Sequence, residues 1–406
     1  MNRRNFLQYS AAALASPAKD AAAKKRVAAI VTMYVDDRRL KSHAAVIVGR
    51  FLDGYSPNGV RTEPRTKIVS MYTEQFPSND LSRGVAAEHG LKIYPTIADA
   101  LTLGGDKLAV DAVLFVGEHG DYPTNDVGQK LYPRYEMFTR ITDTFRRTGR
   151  AVPVYCDKHL SYSWEKAKKM YDESRELKFP MMAGSSEPVT IRTPELELPL
   201  GCNLEHAISV GYGDIDAYGF HTLEALQCMI ERRAGAETGV TAVRFVEGED
   251  VWKWRDSEEG RWSVPLLSAA LATSPQTKSG PPEQNVKRPV LFLLEYRDGF
   301  RTASYMLDGH VRGFLFAAKQ KGREQLWATH FGALDNRRPL PHFDGLVYCI
   351  EEFFVTGKPL YPVERTLLTT GALSFLFESR RQGKRIETPD LKITYRSPIH
   401  VYFERA

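Results

Sequence analysis

The sequence predicts an α/β protein in which a Rossmann-like, doubly wound parallel sheet is followed by an α+β domain with an open antiparallel sheet. Two observations lead to this fold class. Over residues 25–185, short and almost wholly apolar segments alternate with segments of helical periodicity, which is the pattern of a parallel sheet covered on both faces. From about residue 240 onward, apolar and polar residues alternate between glycine-containing turns, which is typical of antiparallel strands.

The strand candidates of the first domain, residues 25–185, are each separated from the next by a helix candidate. The strand candidates are rich in β-branched and small apolar residues, whereas the segments between them repeat apolar residues every three or four positions. The helix candidate after the first strand, for example, carries Leu40, Ala44, Ile47 and Phe51 on one face. In chain order, the strand candidates are RVAAIVTMY, KIVSMY, KIYPT, DAVLFVG and AVPVYCD.

The second domain, residues 186–395, is expected to contain the antiparallel sheet and a C-terminal helix. Residues 274–289 are rich in Pro, Gly and Ser, so we expect a loop there. The helix candidate that follows the sheet ends at Gly357, and residues 396–406 form a tail. The strand candidates of this domain are GVTAVRFVEG, VLFLLEYRDGFRTASYMLDG and VRGFLFAAKQKG.

Composition and charge exclude several classes of protein. A chain of 406 residues with 43% hydrophobic and 26% charged residues has room for two ordinary globular domains. The net charge of +5 comes from basic and acidic residues spread along the chain, so we expect no nucleic-acid partner. Its four cysteines lie far apart without a CxxC pair, which indicates neither a zinc ribbon nor a disulfide framework; they are Cys156, Cys202, Cys228 and Cys349.

Residues 1–24 resemble a twin-arginine export signal with its linker. Arg3 and Arg4 precede a short apolar run that ends near Ala15. The alternative is a disordered basic start on a cytoplasmic protein. No later segment approaches the ~18 to 20 consecutive apolar residues of a membrane-spanning helix. We therefore expect a periplasmic or otherwise extracytoplasmic protein without stable membrane insertion.

Polar residues follow two neighbouring strand candidates where each strand ends. Glu118, His119 and Asp121 come after AVLFV, and the run Asp157 to His159 comes after VPVYC. Because the carboxyl ends of parallel strands share one edge of a sheet, these groups should face one crevice, where ligands of such sheets bind. Carboxylates and imidazoles of this kind also bind zinc, manganese or iron. A salt-bridged loop is the alternative to a metal site formed by Glu118, His119, Asp121, Asp157 and His159.

Several later segments resemble the Gfo/Idh/MocA family of sugar oxidoreductases. The likeness rests on VPVYCDKHLS, GYGDIDAYGFHTLEAL, TGKPLYPVERTLLTTGAL and SRRQGKRIETP, which occur in this order. The resemblance implies a substrate between a Rossmann domain and an α+β domain, an NAD(P) cofactor, and homo-oligomers formed by pairing of the open sheets.

The resemblance also assigns residues to roles. The family's Glu-Lys-Pro motif corresponds to Asp157-Lys158-His159, so that Lys158 takes the place of the catalytic lysine. The family's Asp-x-Gly-x-His motif ends here at His221, with Ala217 at the aspartate position and Asp216 one residue before it. A solvated lysine and a core histidine are the alternatives for Lys158 and His221.

The first strand departs from the family. Dinucleotide binders carry a glycine-rich turn there, which lets backbone N–H groups approach the pyrophosphate. In this chain the turn reads VTMYVDDRRLKSH, and Asp36 and Asp37 put negative charge where phosphate should lie. After the second strand, Glu74 is the candidate for the acidic residue that binds the ribose. We therefore expect NAD(P) binding to be atypical or lost.

Three hypotheses of function follow. The first, placed slightly ahead, is an exported oxidoreductase that acts on a sugar, polyol or glycoside, with Lys158 and His221 handling the hydroxyl proton. The second is a non-redox, metal-assisted carbohydrate lyase or hydrolase. The third is a catalytically silent sugar-binding protein. The catalytic candidates are Lys158, His221, Asp157, His159, Glu118 and His119, and the segment between the domains adds Glu187, Glu205, His206 and Tyr212 without a motif.

Overall fold

The computed structural model describes residues 23–38, 40–332 and 340–405. The export signal expected at residues 1–24 lies outside this part of the chain, apart from its last two positions. No helix among the described residues is long and apolar enough to cross a membrane.

The first sheet is parallel and has the order β3-β2-β1-β4-β5-β6. The order reverses between β1 and β4, which are neighbours in the centre of the sheet, so the predicted doubly wound fold is confirmed. Its sixth strand, β6, was not predicted. The strands are β1 (Lys25–Val31), β2 (Thr66–Thr73), β3 (Lys92–Ile93), β4 (Ala112–Val116), β5 (Val154–Asp157) and β6 (Met181–Gly184).

Helices cover both faces of this sheet. The first of them begins later than its periodicity predicts, because Ser42 caps it by accepting a hydrogen bond from the backbone N–H of Ala45. One face packs against this helix, and the other packs against the helices that precede and follow β4 and β5. The helices are α1 (His43–Asp53), α2 (Ser82–Glu88), α3 (Ile97–Thr102), α4 (Arg134–Thr148) and α5 (Trp164–Glu176).

The second sheet has eight strands in the order β14-β9-β10-β11-β8-β12-β13-β7. It is mixed, because β8 and β11 pair in parallel while its other pairs are antiparallel. The strands are β7 (Arg192–Thr193), β8 (Leu204–Gly211), β9 (Val240–Glu247), β10 (Val290–Tyr296), β11 (Arg301–Met306), β12 (Phe314–Gln320), β13 (Leu326–Phe331) and β14 (Ile386–Glu387).

Both faces of the second sheet are also covered within the chain. One face packs against α6 and α11. The other packs against α7 and α8, which contribute Trp254 and Leu266 to a separate apolar core with Leu291 and Tyr305. The helices of this half are α6 (Ala217–Ile230), α7 (Glu249–Asp256), α8 (Ser263–Leu271), α9 (Pro282–Asn285), α10 (His342–Thr356) and α11 (Val363–Gln382). The short α9 lies in the segment that we expected to be a loop.

The helix α10 packs against the first sheet, although it follows the second sheet in the chain. Its residues Leu346 and Ile350 belong to the same apolar core as residues of β1, β4 and α1. Polar contacts add to this packing, since Tyr55 donates a hydrogen bond of 2.7 Å to Glu351 and Arg50 donates one of 2.8 Å to Asp344. The start of α10 is thereby brought to the edge of the first sheet where β4 and β5 end.

Candidate functional site

A cavity of about 630 Å³ lies at the carboxyl ends of β4 and β5. Its remaining walls come from the β8–α6 segment, the segment before α1, and the start of α10. This is the crevice in which doubly wound sheets bind their ligands. The predicted residues that line it are Glu118, His119, Lys158, His159, Asp216, His221, Glu187 and Tyr212.

The centre of the cavity wall is a buried cluster of three charges. Lys158 Nζ donates a hydrogen bond of 2.9 Å to Glu118 Oε1, and the guanidinium of Arg134 donates to the other oxygen of Glu118. The three side chains are between 2% and 4% exposed. Burial alone would raise the pKa of Glu118, but the charges of Lys158 and Arg134 outweigh it and hold this pKa well below its usual value. The cluster therefore carries a net positive charge.

Lys158 reaches this position through an unusual backbone conformation. Its φ angle is 58°, in the left-handed region that non-glycine residues adopt uncommonly. Its N–H donates to the carbonyl oxygen of Gly184 at 3.0 Å, which ties the end of β5 to the end of β6. A non-glycine residue held in this conformation is a feature that clusters at functional sites.

Two histidines connect the segment before α1 with the ends of β4 and β5. The Nδ1 of His43 lies 2.7 Å from Asp157 Oδ2, and the backbone N–H of His43 donates to His119 Nδ1 at 3.3 Å. Burial lowers the pKa of His119 to about 4, so its ring is neutral at neutral pH. Asp157 does not itself line the cavity but reaches it through His43.

His159 belongs to the same cluster and is also neutral. Its Nε2 lies 3.1 Å from an Arg134 nitrogen, which must be the donor because a guanidinium cannot accept. Burial and the charge of Arg134 lower the pKa of His159 well below its usual value.

His221 faces the cluster from the second domain. It lies in the first turns of α6, with its ring 5.4 Å from that of Phe314 and 5.8 Å from that of Tyr218. Its Nδ1 is buried without a hydrogen-bond partner among the described residues. Burial, followed by the nearby charge of Lys158, lowers the pKa of His221 well below its usual value.

Two carboxyl groups complete the wall on this side. Asp216 lines the cavity beside Ala217 and accepts a hydrogen bond of 2.9 Å from the Lys130 backbone N–H. Burial raises its pKa to about 7. For Glu187, burial and the charge of Glu224 raise the pKa to about 8. Both groups can therefore exchange a proton near neutral pH.

Three of the sequence candidates lie elsewhere. Asp121 is exposed, and its backbone N–H and carbonyl oxygen are bonded to the side chain of Gln75. His206 stacks on Trp262 at 4.4 Å between ring centroids, and Glu205 pairs with Lys319. None of the three lines the cavity.

The five candidate metal ligands do not form a ligand set, and Glu118 is salt-bridged instead. Both oxygens of Glu118 accept from cations, Asp157 is bonded to His43, and Asp121 does not line the cavity. The cations Lys158 and Arg134 would also repel a divalent ion from this position. Throughout residues 23–38, 40–332 and 340–405, no group of three or more His, Cys, Asp or Glu residues is arranged to hold a metal.

The segment between β1 and α1, residues 32–42, occupies the place of the glycine-rich turn. Met33, Tyr34 and Val35 are buried, so the segment fills space rather than leaving it to a ligand. Thr32 closes the gap between β1 and β4 by donating from its N–H to the Val116 carbonyl and from its hydroxyl to the Glu118 carbonyl.

Three of the amino-terminal N–H groups of α1 are bonded inside the chain. Those of Ala45 and Val46 donate to the side chain and carbonyl of Ser42, and that of His43 donates to His119. These are the groups that would bind a pyrophosphate. The residues present therefore do not fit a dinucleotide held in the manner of a glycine-rich turn.

Sequence reasoning missed His43 and Arg134. His43 follows a charged stretch that we assigned to a helix, and Arg134 is the first residue of α4. The only feature of the sequence that could have indicated them is that each is the first residue of a helix that follows a strand of the parallel sheet.

The fold is shared with solved structures at low sequence identity. No protein-family model matches the sequence, and no curated protein matches it. The structure of GenD2 from gentamicin A biosynthesis in complex with NAD has a TM-score of 0.56 and 12% identity, and the match covers 90% of this chain and 97% of that chain. Myo-inositol 2-dehydrogenase from Lactobacillus plantarum has a TM-score of 0.52 and 11% identity, covering 90% and 99%.

A third similar structure is a scyllo-inositol dehydrogenase from Lactobacillus casei, with a TM-score of 0.54 and 8% identity, covering 90% of this chain and 98% of that chain. The two inositol proteins are dehydrogenases by name, GenD2 is in complex with NAD, and the likeness agrees with the fold that the Gfo/Idh/MocA resemblance implies. At such identities the likeness establishes the fold, whereas function depends on the site.

Proposed function

We propose that the protein is an enzyme that acts by acid–base chemistry on a hydroxyl group of a small sugar, polyol or glycoside bound in the cavity. The observation that carries the proposal is that the Lys158–Glu118 pair of the first domain and His221 of the second domain line the same cavity. Fixed charges and neutral imidazoles in a crevice of this size are the groups that proton transfer requires.

The charged cluster suits an oxygen that gains negative charge. Lys158 and Arg134 share one carboxylate, Glu118, so one positive charge is uncompensated at the cavity wall. An alkoxide that forms when a hydroxyl loses its proton is stabilised by such a charge, and more strongly in a site that excludes water. His221 is neutral and can accept or donate a proton on the opposite side of the substrate.

Aromatic rings give the cavity apolar surface beside these polar groups. Tyr212, Tyr218 and Phe314 form a connected group of ring contacts, with centroids 5.0 to 5.9 Å apart. Sites that combine apolar walls with a few convergent polar groups bind small molecules in a defined orientation. The C–H faces of a sugar ring and its hydroxyls match these two kinds of surface.

Two reaction classes can use a general base together with groups that stabilise a negatively charged oxygen. A nicotinamide-dependent sugar oxidoreductase is favoured by the fold neighbours, two of which are named as dehydrogenases and one of which is in complex with NAD. A lyase or hydrolase that needs proton transfer alone is favoured by the first N–H groups of α1, because those of His43 and Ala45 already donate to His119 and Ser42. For this chain we prefer the lyase or hydrolase, because the groups for proton transfer line the cavity, whereas three N–H groups that would bind a pyrophosphate are already bonded within the chain.

A panel of defined compounds tests the proposal. The purified protein is incubated with myo-inositol, D-glucose, methyl β-D-glucopyranoside and cellobiose, each with and without NAD⁺ or NADP⁺. Nicotinamide absorbance reports oxidation, and NMR of the mixtures reports elimination or hydrolysis. Product formation that needs no nucleotide and is abolished by Lys158→Ala supports a lyase or hydrolase. Reduction of the nucleotide supports the oxidoreductase. Saturable binding of a sugar without turnover of any kind would identify a silent binding protein.

The place of action is a separate proposal. From Arg3 and Arg4 in residues 1–24 we propose export by the twin-arginine route. A reporter fused after residue 24 should reach the periplasm, and replacing both arginines with lysine should retain it in the cytoplasm. If the fusion with both arginines in place stayed in the cytoplasm, the proposal would be contradicted.

A further inference from the structure

The segment that replaces the glycine-rich turn delivers a histidine to the cavity. His43 is the first residue of α1, its side chain is 14% exposed, and its Nδ1 lies 2.7 Å from Asp157 Oδ2. The Asp157 side chain is fully buried at the end of β5, directly before Lys158. A histidine from one element and a carboxylate from another thus meet beside the charged cluster.

The contact with Asp157 fixes the position of the proton on His43. A carboxylate can only accept, so Nδ1 carries the hydrogen and Nε2 carries a lone pair. The described residues provide no hydrogen-bond partner for Nε2. The ring is held in place by His119 and Phe343, whose ring centroids lie 5.2 Å and 5.1 Å from its own.

The neighbouring imidazoles are arranged differently. His119 accepts at Nδ1 from the His43 N–H, so a neutral His119 carries its hydrogen on Nε2 and can only donate there. His159 uses its Nε2 lone pair to accept from Arg134. Of these three histidines, His43 has a lone pair that no described residue uses.

We propose that His43 is the general base of the enzyme and that Asp157 is its positioning residue. The inference rests on the proposed function and names the group that performs its first step. His43 Nε2 takes the proton of a substrate hydroxyl, so that the O–H bond breaks and an N–H bond forms. The electron pair stays on oxygen beside the Lys158 ammonium, and Asp157 stabilises the resulting imidazolium. No electron acceptor is needed for this step.

The arrangement can be tested before any substrate is known, using nitrogen NMR of histidine-labelled protein and diethyl pyrocarbonate, which acylates unprotonated imidazole. In the wild type, Nδ1 of His43 should show a protonated signal and Nε2 a lone-pair signal, and His43 should react. In Asp157→Asn the tautomer should become mixed, and the reaction rate of His43 should fall on the order of tenfold, because a neutral amide does not stabilise the charge that develops on the ring.

The matched control is a second histidine–aspartate pair outside the cavity, His89 and Asp53, with 3.3 Å between His89 Nε2 and Asp53 Oδ1. Asp53→Asn should leave the His43 signals and reactivity unchanged. A wild-type His43 that carries its hydrogen on Nε2, or that fails to react, would overturn the inference.

Turnover of a compound from the panel provides the second readout. His43→Gln should reduce kcat by about 100-fold or more, which is the usual contribution of a general base, with KM little changed, while His89→Gln should retain wild-type activity. Unchanged kcat in His43→Gln would overturn the role of His43 and leave the proposed function intact. Absence of turnover in the wild type would contradict the proposed function, whereas the NMR and acylation results would still judge the His43–Asp157 arrangement.

Discussion

Lys158 Nζ lies 2.9 Å from Glu118 Oε1, although the two residues are 40 positions apart and follow different strands. Parallel strands bring their carboxyl ends together, and this contact is the direct result. Because Arg134 contacts the same carboxylate, removing the charge of Glu118 would leave two buried cations without this shared anion.

Glu118→Gln should therefore reduce both stability and activity. Breaking a buried ion pair by removing one partner costs about 3–5 kcal/mol in free energy of unfolding, which urea unfolding can measure. Glu136→Gln is the control, because Glu136 pairs with Lys166 at the surface and should cost less than about 1 kcal/mol. If both changes lowered the free energy of unfolding by the same amount, the contacts of Glu118 with Lys158 and Arg134 would contribute no more to stability than a surface ion pair.

Replacing Lys158 separates chemistry from backbone conformation. Lys158→Ala and Lys158→Gly both remove the ammonium group and should both abolish turnover. Glycine adopts the observed φ of 58° without strain, so Lys158→Gly should be more stable than Lys158→Ala by about 1 kcal/mol. Urea unfolding of the two variants measures the difference. A less stable glycine variant would contradict the assigned strain.

Glu187 should make stability fall as pH rises. Burial raises its folded-state pKa to about 8, above the value of about 4.3 in an unfolded chain. Between these pH values the folded state holds a proton that the unfolded state has lost. This group therefore lowers the free energy of unfolding by about 1.4 kcal/mol for each unit by which the pH rises. Glu187→Gln should flatten the profile in that window. An unchanged slope in urea unfolding across the window would contradict the raised pKa.

Gly184→Ala should disturb the site through the backbone. The added Cβ would lie 2.5 Å from Glu224 Oε1, and the φ of Gly184 is 134°. The carbonyl oxygen of Gly184 accepts from the Lys158 N–H and the Tyr155 hydroxyl. The stability of the protein and the position of Lys158 therefore both depend on the backbone at Gly184. We expect a loss of about 1–3 kcal/mol and reduced kcat. Gly149→Ala also has positive φ but meets no atom within 4 Å, and it should keep wild-type activity.

NAD⁺ should not stabilise the protein. A ligand that binds the folded state raises its stability in proportion to the logarithm of ligand concentration over Kd. Because the α1 amides are bonded to Ser42 and His119, we expect no change in Tm at about 1 mM NAD⁺. An increase of several degrees would instead favour the oxidoreductase class.

The first domain could be predicted from sequence because its signals are local. Apolar strands and helical periodicity extend over neighbouring residues, and the polar groups after AVLFV and VPVYC were expected to share a crevice. The helices α7 and α8 were missed because each is short, at Glu249–Asp256 and Ser263–Leu271. Their apolar residues can be recognised as core residues only once the sheet that they pack against is known. Oligomer formation through the open sheets stays a prediction.

The composition of the site was easier to predict than its contacts. Residue types indicated carboxylate and imidazole groups and left a metal site and a salt-bridged loop as alternatives, but they did not show that Arg134 and Lys158 would contact the oxygens of Glu118. His43 and Asp157 are 114 positions apart, and no local pattern connects them. Their contact depends on the sheet order and on the course of residues 32–42.

The position of α10 has a consequence for synthesis on the ribosome. Tyr55 meets Glu351, which is 296 residues further along the chain, and Leu346 fills the same core as β1. When the amino-terminal half emerges from the exit tunnel, one of the helices that cover its sheet has not yet been translated. The nascent first domain must therefore wait, with part of an apolar face uncovered, until nearly the whole polypeptide has been made.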